Sequence, residues 1–247
     1  MEQSKYHWIT DHIALGEEPD LKMIDQLKKE NVKKILDLRT WEQRDIEFQN
    51  EVQQQFFYQN VSIVDGKPVS IETISSCIRF ISESVPKERI YLHCQRGISR
   101  SPMILMCYLI YKGYNGLASH NLIKSKRKCI WININFLDSI LHYEDQIIDL
   151  RGRKRKLDKD VYESIRNQSY RKLYDFLKRV LKNRETASFY QIAISPEGII
   201  DLDSLITLLF TRYEFRTWVN KDSLFHMMNR INCPMLKGVN NSVLLNE

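Results

Sequence analysis

The 247-residue sequence has little glycine or proline, 8 and 6 residues respectively, about half of average usage. That excludes collagen-like and linker-rich chains and favours helix. Long apolar runs are missing as well. The longest, PMILMCYLIY at 102–111, is far short of the roughly 20 residues that cross a bilayer. The N-terminal MEQSKYHWITDH is polar, with no basic stretch leading into an apolar core, so neither a secretory signal nor a membrane partner is expected. Cysteine is sparse and unpatterned. Cys77, Cys94, Cys107, Cys129 and Cys233 are odd in number and no two share a CxxC spacing, which argues against a disulfide framework and a Cys-rich zinc site. The expected compartment is the cytoplasm, or the nucleus of a eukaryote if the basic run RGRKRK at 151–156 acts as an address.

What is present is enough to fold. Hydrophobic residues make up 43% and charged residues 28%, a balance that buries a sizeable core. The net charge of +6 is uneven: residues 1–150 hold 19 Lys and Arg against 20 Asp and Glu, whereas 151–247 hold 18 against 11, or +7. The densest basic stretch, RGRKRK, reads as a nucleic-acid patch, a nuclear address or a solvated linker.

The first 150 residues alternate helix-like and strand-like segments. Pro19 precedes apolar Leu21, Ile24 and Leu27 at helical spacing, then KKILDL at 33–38 reads as a strand, and FYQNVSIV at 57–64 as another. Ser70 is placed to cap a helix carrying Ile71, Ile74, Ile78, Ile81 and Val85, stopped by Pro86. Further helices are expected near 116–126 and 133–148. IYLHC at 90–94 runs as a strand into QRGISR and then into the apolar helix after Pro102. Strand, tight loop and helix in that order predict an α/β domain, a central sheet flanked by helices, with its site at the carboxyl end of a strand.

HCQRGISRS at 93–101 carries the chemistry. His93, Cys94, Gly97 and Arg100 form HCxxGxxR, a match that arises by chance in about 3 of 10,000 chains of this composition. A loop between a strand end and a helix start turns its N–H groups inward as a nest for an anion, so Gln95, Arg96, Gly97, Ile98 and Ser99 are candidate phosphate-binding positions together with His93. Cys94 at the mouth of that nest is a candidate nucleophile, since the N–H groups, the helix dipole and Arg100 all favour thiolate. Arg100 offers a planar fork for two phosphoryl oxygens, and Gly97 removes a side chain where the loop bends closely. Ser101 can donate to the sulfur. No metal or cofactor is called for.

These residues resemble the cysteine-dependent protein tyrosine phosphatase superfamily, and within it the dual-specificity phosphatases, whose loops often read HCxxGISRSP. The resemblance covers about residues 7–149 and includes ITDHIALG at 9–16 and KSKRKCIWININFLDSILHYE at 124–144. It implies the phosphatase fold, and it implies that Asn133 supports the phosphate loop, although Ile132 stands where the family has Pro and Asn135 where it has Gly. Phosphoryl transfer also needs a general acid on a separate loop. Asp65, in SIVDGKP and 29 residues before Cys94, resembles the family's acid, against the alternative that it is a turn residue before Gly66. Asp37 in LDLRT fits no acid position and reads as a structural hydrogen-bonding group.

After the basic run the pattern changes. A helix around 169–182, a strand, turn and helix over 194–210, a helix after Lys221 and a hairpin signal in MLKGVNNSVLLN at 235–246 suit a small winged-helix-like domain. LYDFLKRVLKN and SPEGIIDLDSLI are similar to the N-terminal lobe of RNA 2′-phosphotransferases, but Lys182-Asn183 replace that family's Arg-His pair, so transferase activity is not expected. The expected organisation is a catalytic domain over 1–150, a basic linker over 151–168 and a winged-helix-like domain over 169–247. The resemblance implies a phosphatase acting on phosphoprotein at Ser, Thr and Tyr through a cysteinyl-phosphate intermediate. Two readings stay open beside it: an RNA 5′-phosphatase or triphosphatase, drawing on RNA contact through the basic 151–247 part, and a non-catalytic phosphate-binding module.

Overall fold

The computed structural model describes residues 4–151, 159–212, 215, 218–230, 236–239 and 242–245. Its chain divides into two compact units, Met1–Tyr162 and Glu163–Glu247.

The first unit is built on a five-stranded sheet. In chain order its elements are β1 (Tyr6–Trp8), β2 (Ile13–Gly16), α1 (Leu21–Lys29), β3 (Val32–Asp37), α2 (Ile46–Gln53), β4 (Phe57–Asn60), α3 (Ile71–Ser84), β5 (Arg89–His93), α4 (Arg100–Lys112), α5 (Gly116–Lys126) and α6 (Ile134–Leu150). The strand order is β1-β2-β5-β3-β4. β2, β5, β3 and β4 are parallel, and β1 lies antiparallel on the edge. Successive side chains of a strand face opposite ways. On one face Ala14, Val32, Ile35 and Tyr91 meet Met23, Ile24 and Leu27 of α1 and Val52 of α2 in a single cluster. The other alternation of β5, Ile90 and Leu92, is fully buried, and α3 and α4 pack against that strand.

The caps explain where the helices start. Asp20 accepts from the Met23 N–H, Asp45 from Phe48, Ser70 from Thr73 and Asn115 from Ala118, each satisfying an otherwise unpaired donor of a first turn. α4 is apolar on every side, and Ser101 through Ile110 are all buried, as befits a helix enclosed by sheet and helices. Two differences from the sequence pattern stand out. The strand expected over 57–64 ends at Asn60, beyond which the Val61 and Ile63 N–H groups still donate to the Asp37 and Leu38 carbonyls outside the regular ladder. The helix α2 and a 3-10 turn at Trp41–Gln43 fill a stretch, RTWEQRDIEFQNEVQ, whose one buried apolar residue is Val52, too little apolar stripe for a periodic signal.

The strands end in register. Gly16 stands opposite His93, His93 opposite Asp37, and Asp37 opposite Asn60. The carboxyl ends of the parallel strands therefore form one row across the sheet, and the loops leaving that row share one edge of the domain.

The second unit holds the larger part of α7 (Lys159–Val180), then α8 (Arg184–Phe189), β6 (Ile199–Ile200), α9 (Leu202–Phe210), α10 (Lys221–Arg230), β7 (Leu236–Val239) and β8 (Ser242–Leu245). The strands form an antiparallel sheet in the order β6-β8-β7. Leu173, Phe176, Leu177 and Val180 of α7, Leu205 and Leu209 of α9, and Leu224 and Met227 of α10 are buried. Residues 159–168, expected as linker, are helix. Tyr162 is almost fully buried and donates to Glu144 of α6 at 2.5 Å, so the first turn of α7 is fixed to α6. Residues 152–158 of the expected linker lie outside the described residues, as do Asn240 and Asn241 of the expected hairpin. Among the described residues no helix is long and apolar enough to cross a membrane.

Candidate active site

β5 delivers His93 to the row of strand ends, and the chain then closes through Cys94–Ser99 into α4, which begins at Arg100. Gly97 has φ 60°, and a β-carbon there would drive into the backbone of Gly16, the last residue of β2. Only glycine combines that conformation with that approach. Other segments grip the loop from outside. The Trp131 N–H donates to the Ile98 carbonyl at 2.8 Å and the Glu18 N–H to the Gln95 carbonyl at 3.2 Å. The Gln95 amide donates to the Glu18 carboxylate at 2.5 Å. Arg96 is exposed.

Cys94 is completely buried, and Ser101 Oγ donates to its Sγ at 3.4 Å. Cys77 and Cys107 are buried too, but in the helical layer, where burial pushes the Cys77 thiol up to about 12 and the Cys107 thiol higher still. Neither is a nucleophile at neutral pH.

Arg100 is 1% exposed and its guanidinium is held on one side only. Its Nη1 donates to the Gln43 Oε1 at 2.7 Å, the Ile63 carbonyl at 3.1 Å and the Leu38 carbonyl at 3.3 Å. Its Nε and Nη2, the two nitrogens that form a fork edge for an oxyanion, are buried without a hydrogen-bond partner. The carboxylate beside that edge is Asp65, whose Oδ1 is 4.0 Å from Nε. Asp65 thus stands next to Arg100, on the loop between β4 and α3. That loop is tied to α6: the Asn135 amide donates to the Gly66 carbonyl at 2.8 Å, and the Val69 N–H to Ser139 Oγ at 2.9 Å.

Asn133 caps α6, its side chain accepting from the Asn135 N–H, while its own N–H donates to Ser99 Oγ at 2.9 Å. It touches the phosphate-loop segment through its backbone. Asn135, where the resembled family has Gly, uses its side chain to hold the Asp65 loop.

Behind Cys94 lies a buried charged layer. Asp37 accepts from the Arg39 N–H at 2.8 Å, from the Arg39 guanidinium at 2.8–3.1 Å and from the Tyr58 hydroxyl at 2.5 Å. Burial works against ionising Asp37, but the positive neighbours and these hydrogen bonds outweigh it and bring the carboxyl down to about 2. His93 Nδ1 lies 3.8 Å from Asp37 and 3.3 Å from the Cys94 carbonyl, and its ring stacks on Tyr91. Burial, the largest influence on it, holds His93 below its ordinary range despite Asp37, which suits a neutral buttress and not a base. Arg39 reaches on to pair with Glu18.

Sequence reasoning missed two residues that this geometry singles out. Arg127, 1% exposed, donates from Nε to the Gly97 carbonyl at 2.9 Å and from Nη2 to the Arg96 carbonyl at 3.2 Å. In the sequence it is one cation in KSKRKC, where nothing sets it apart from solvated neighbours. Gln43 is the other, in a stretch with no periodic signal. Among the described residues no group of three or more His, Cys, Asp or Glu side chains converges as metal ligands would.

The model of the family "Dual specificity phosphatase, catalytic domain" matches residues 13–146. Among relatives, the protein phosphatase Slingshot of Drosophila melanogaster is 27% identical over 160 residues, covering 63% of this chain and 14% of its own length. The mouse dual specificity protein phosphatase 18 is 30% identical over 105 residues, 41% of this chain and 56% of that protein. The chain thus spans less than two thirds of either relative. Among solved structures, PTPMT1 in complex with PI(5)P aligns with a TM-score of 0.54 at 19% identity, over 60% of this chain and 99% of that one. Tk-PTP in the active form aligns at 0.53 and 17% identity, over 57% and 97%. At such identities these two likenesses establish the fold of the first unit.

Proposed function

The chain belongs to the dual-specificity phosphatase family, and from that premise we propose that it hydrolyses phosphomonoesters on protein Ser, Thr and Tyr through a cysteinyl-phosphate intermediate. One observation carries the proposal: buried Arg100 is fixed through Nη1 and keeps Nε and Nη2 unpartnered, one loop-length from Cys94 and 4.0 Å from Asp65. That arrangement fits a phosphoryl group better than a structural ion pair, since a buried cation with unused donors is costly to keep.

In the first step Cys94 Sγ attacks phosphorus. The loop N–H groups and the Arg100 fork hold the equatorial oxygens as charge develops on them. Asp65 gives its proton to the leaving oxygen. In the second step the same carboxylate takes a proton from water, the water oxygen attacks phosphorus, and the S–P bond breaks. Ser101, donating to Sγ, stabilises the departing thiolate. His93, Asp37 and Asn133 support the loop from behind and beside it.

For the second unit we propose a winged-helix-like module that contacts RNA. Its support is the helix and strand succession with the sheet order β6-β8-β7 and the excess of +7 over residues 151–247, of which the unit itself carries +3 and the basic stretch leading into it the rest.

Incubating the full chain with a phosphopeptide panel and, in parallel, with 5′-triphosphorylated RNA tests the substrate reading. Release of phosphate from peptides is expected, while release from RNA alone overturns it. Cys94→Ser is expected to abolish turnover and to keep oxyanion binding, since the nest and Arg100 remain. Appreciable turnover by that variant refutes the covalent route.

A further inference from the structure

Gln43 is an uncharged side chain in contact with the cation that would meet the substrate. Its Oε1 accepts from Arg100 Nη1 at 2.7 Å, the shortest of the three bonds to that nitrogen and the one made by a side chain. It is itself set in place. The Thr40 N–H donates to the same Oε1 at 3.3 Å, and the Gln43 carbonyl accepts from Arg39 at 3.2 Å. The 3-10 turn Trp41–Gln43 is thereby pinned between both arginines.

The chemistry of this partner matters because of what it is not. Arg39, on the same turn, is paired with Asp37 and Glu18, which take up its charge. Arg100 is anchored by carbonyl and amide oxygens, and the one ion pair recorded for it among the described residues is the 4.0 Å approach of Asp65. A carboxylate at position 43 would fix the guanidinium equally well. It would also cancel part of its charge and place a negative group behind the two nitrogens that face a dianion. An amide orients without neutralising.

We propose that Gln43 is a positioning residue that aims the Arg100 fork while leaving its full charge for the phosphoryl group. This rests on the phosphatase reading of the site. Three proteins separate orientation from charge: wild type, Gln43→Ala and Gln43→Glu, each measured for p-nitrophenyl phosphate turnover, for competition by inorganic phosphate and for melting temperature. Gln43→Ala, which loses a bond to a charged group, is expected to lower kcat/KM by about tenfold or more. Gln43→Glu keeps the acceptor and is expected to melt at or above wild type, yet to bind phosphate at least about tenfold more weakly, because the added charge lies close to the anion in a buried setting. If Gln43→Glu binds phosphate as tightly as wild type, or Gln43→Ala turns over as fast, the inference is wrong. Failure of wild type itself to turn over the aryl phosphate instead strikes at the phosphatase reading, so the two failures are distinguishable.

Discussion

Asp65→Asn separates acid catalysis from binding. The amide keeps the shape beside Arg100 but has no proton of suitable acidity to give, so an alkyl phosphate should slow by about 100–10,000-fold. An aryl phosphate with an activated leaving group should be far less affected, and equal losses on both would remove Asp65 from the acid role. Asp37 invites a test of stability instead. Its partner Arg39 is 2% exposed, so Asp37→Asn leaves a buried cation with Glu18 as its remaining carboxylate and should cost about 1–3 kcal/mol at neutral pH. The Asp37 carboxyl sits at about 2 in the fold, below its unfolded range near 3.9. The stabilisation it gives is therefore complete above about pH 4 and lost as pH falls through about 2. Urea midpoints at pH 7 and pH 3 should show wild type losing stability on acidification more than Asp37→Asn does.

Strand ends and the connections between helices decide how well the loop is held. The Gly16–Gly97 approach fixes it against β2, and the stretch between α5 and α6 holds it through Arg127, Trp131 and Asn133. Arg127→Met keeps most of the buried volume and removes the donors to the Gly97 and Arg96 carbonyls. A displacement of the loop by even 1 Å can cost about 100-fold in rate, so kcat should fall by about 10–100-fold while the far-ultraviolet circular dichroism stays unchanged. Wild-type kcat in this variant would mean that β2 and Ser99 alone suffice. At this scale HCQRGISRS is legible in the amino-acid sequence, because its strand, loop and helix are contiguous in the chain. The grip on the loop is not, because Arg127 and Gln43 reach it from segments with no periodicity or motif of their own.

For the molecule as a whole, positive charge gathers in the C-terminal stretch: the excess lies in residues 151–247 and not in residues 1–150. If the +7 over residues 151–247 meets a nucleic-acid backbone, RNA binding by the full chain should weaken with salt by about 0.7 log unit per log unit for each single-strand phosphate neutralised. Fluorescence anisotropy of a labelled RNA at several salt concentrations measures that slope. A chain ending after Leu150, which removes that whole excess, should lose the binding and keep aryl-phosphate turnover, because every side chain of the candidate active site lies before residue 150. A flat salt response in the full chain removes the support for RNA contact.

The sequence by itself determined the local chemistry of this protein. The proposed nucleophile, the arginine fork and the glycine lie within seven consecutive residues, Cys94–Arg100; the helix stripes of α3, α6 and α9 are likewise written in apolar spacing. Asp65 was legible only through the spacing that resembles a family. Tertiary structure alone decided what surrounds that kernel. Parallel register brought Gly16, His93, Asp37 and Asn60 into one row, so that loops far apart in the chain meet at Arg100. It also decided which charges are buried: Asp37 with Arg39, Arg100 against the neutral Gln43, and Arg127 under the loop. Burial and long-range pairing depend on where the sheet sends each strand end, and no window of sequence contains that information.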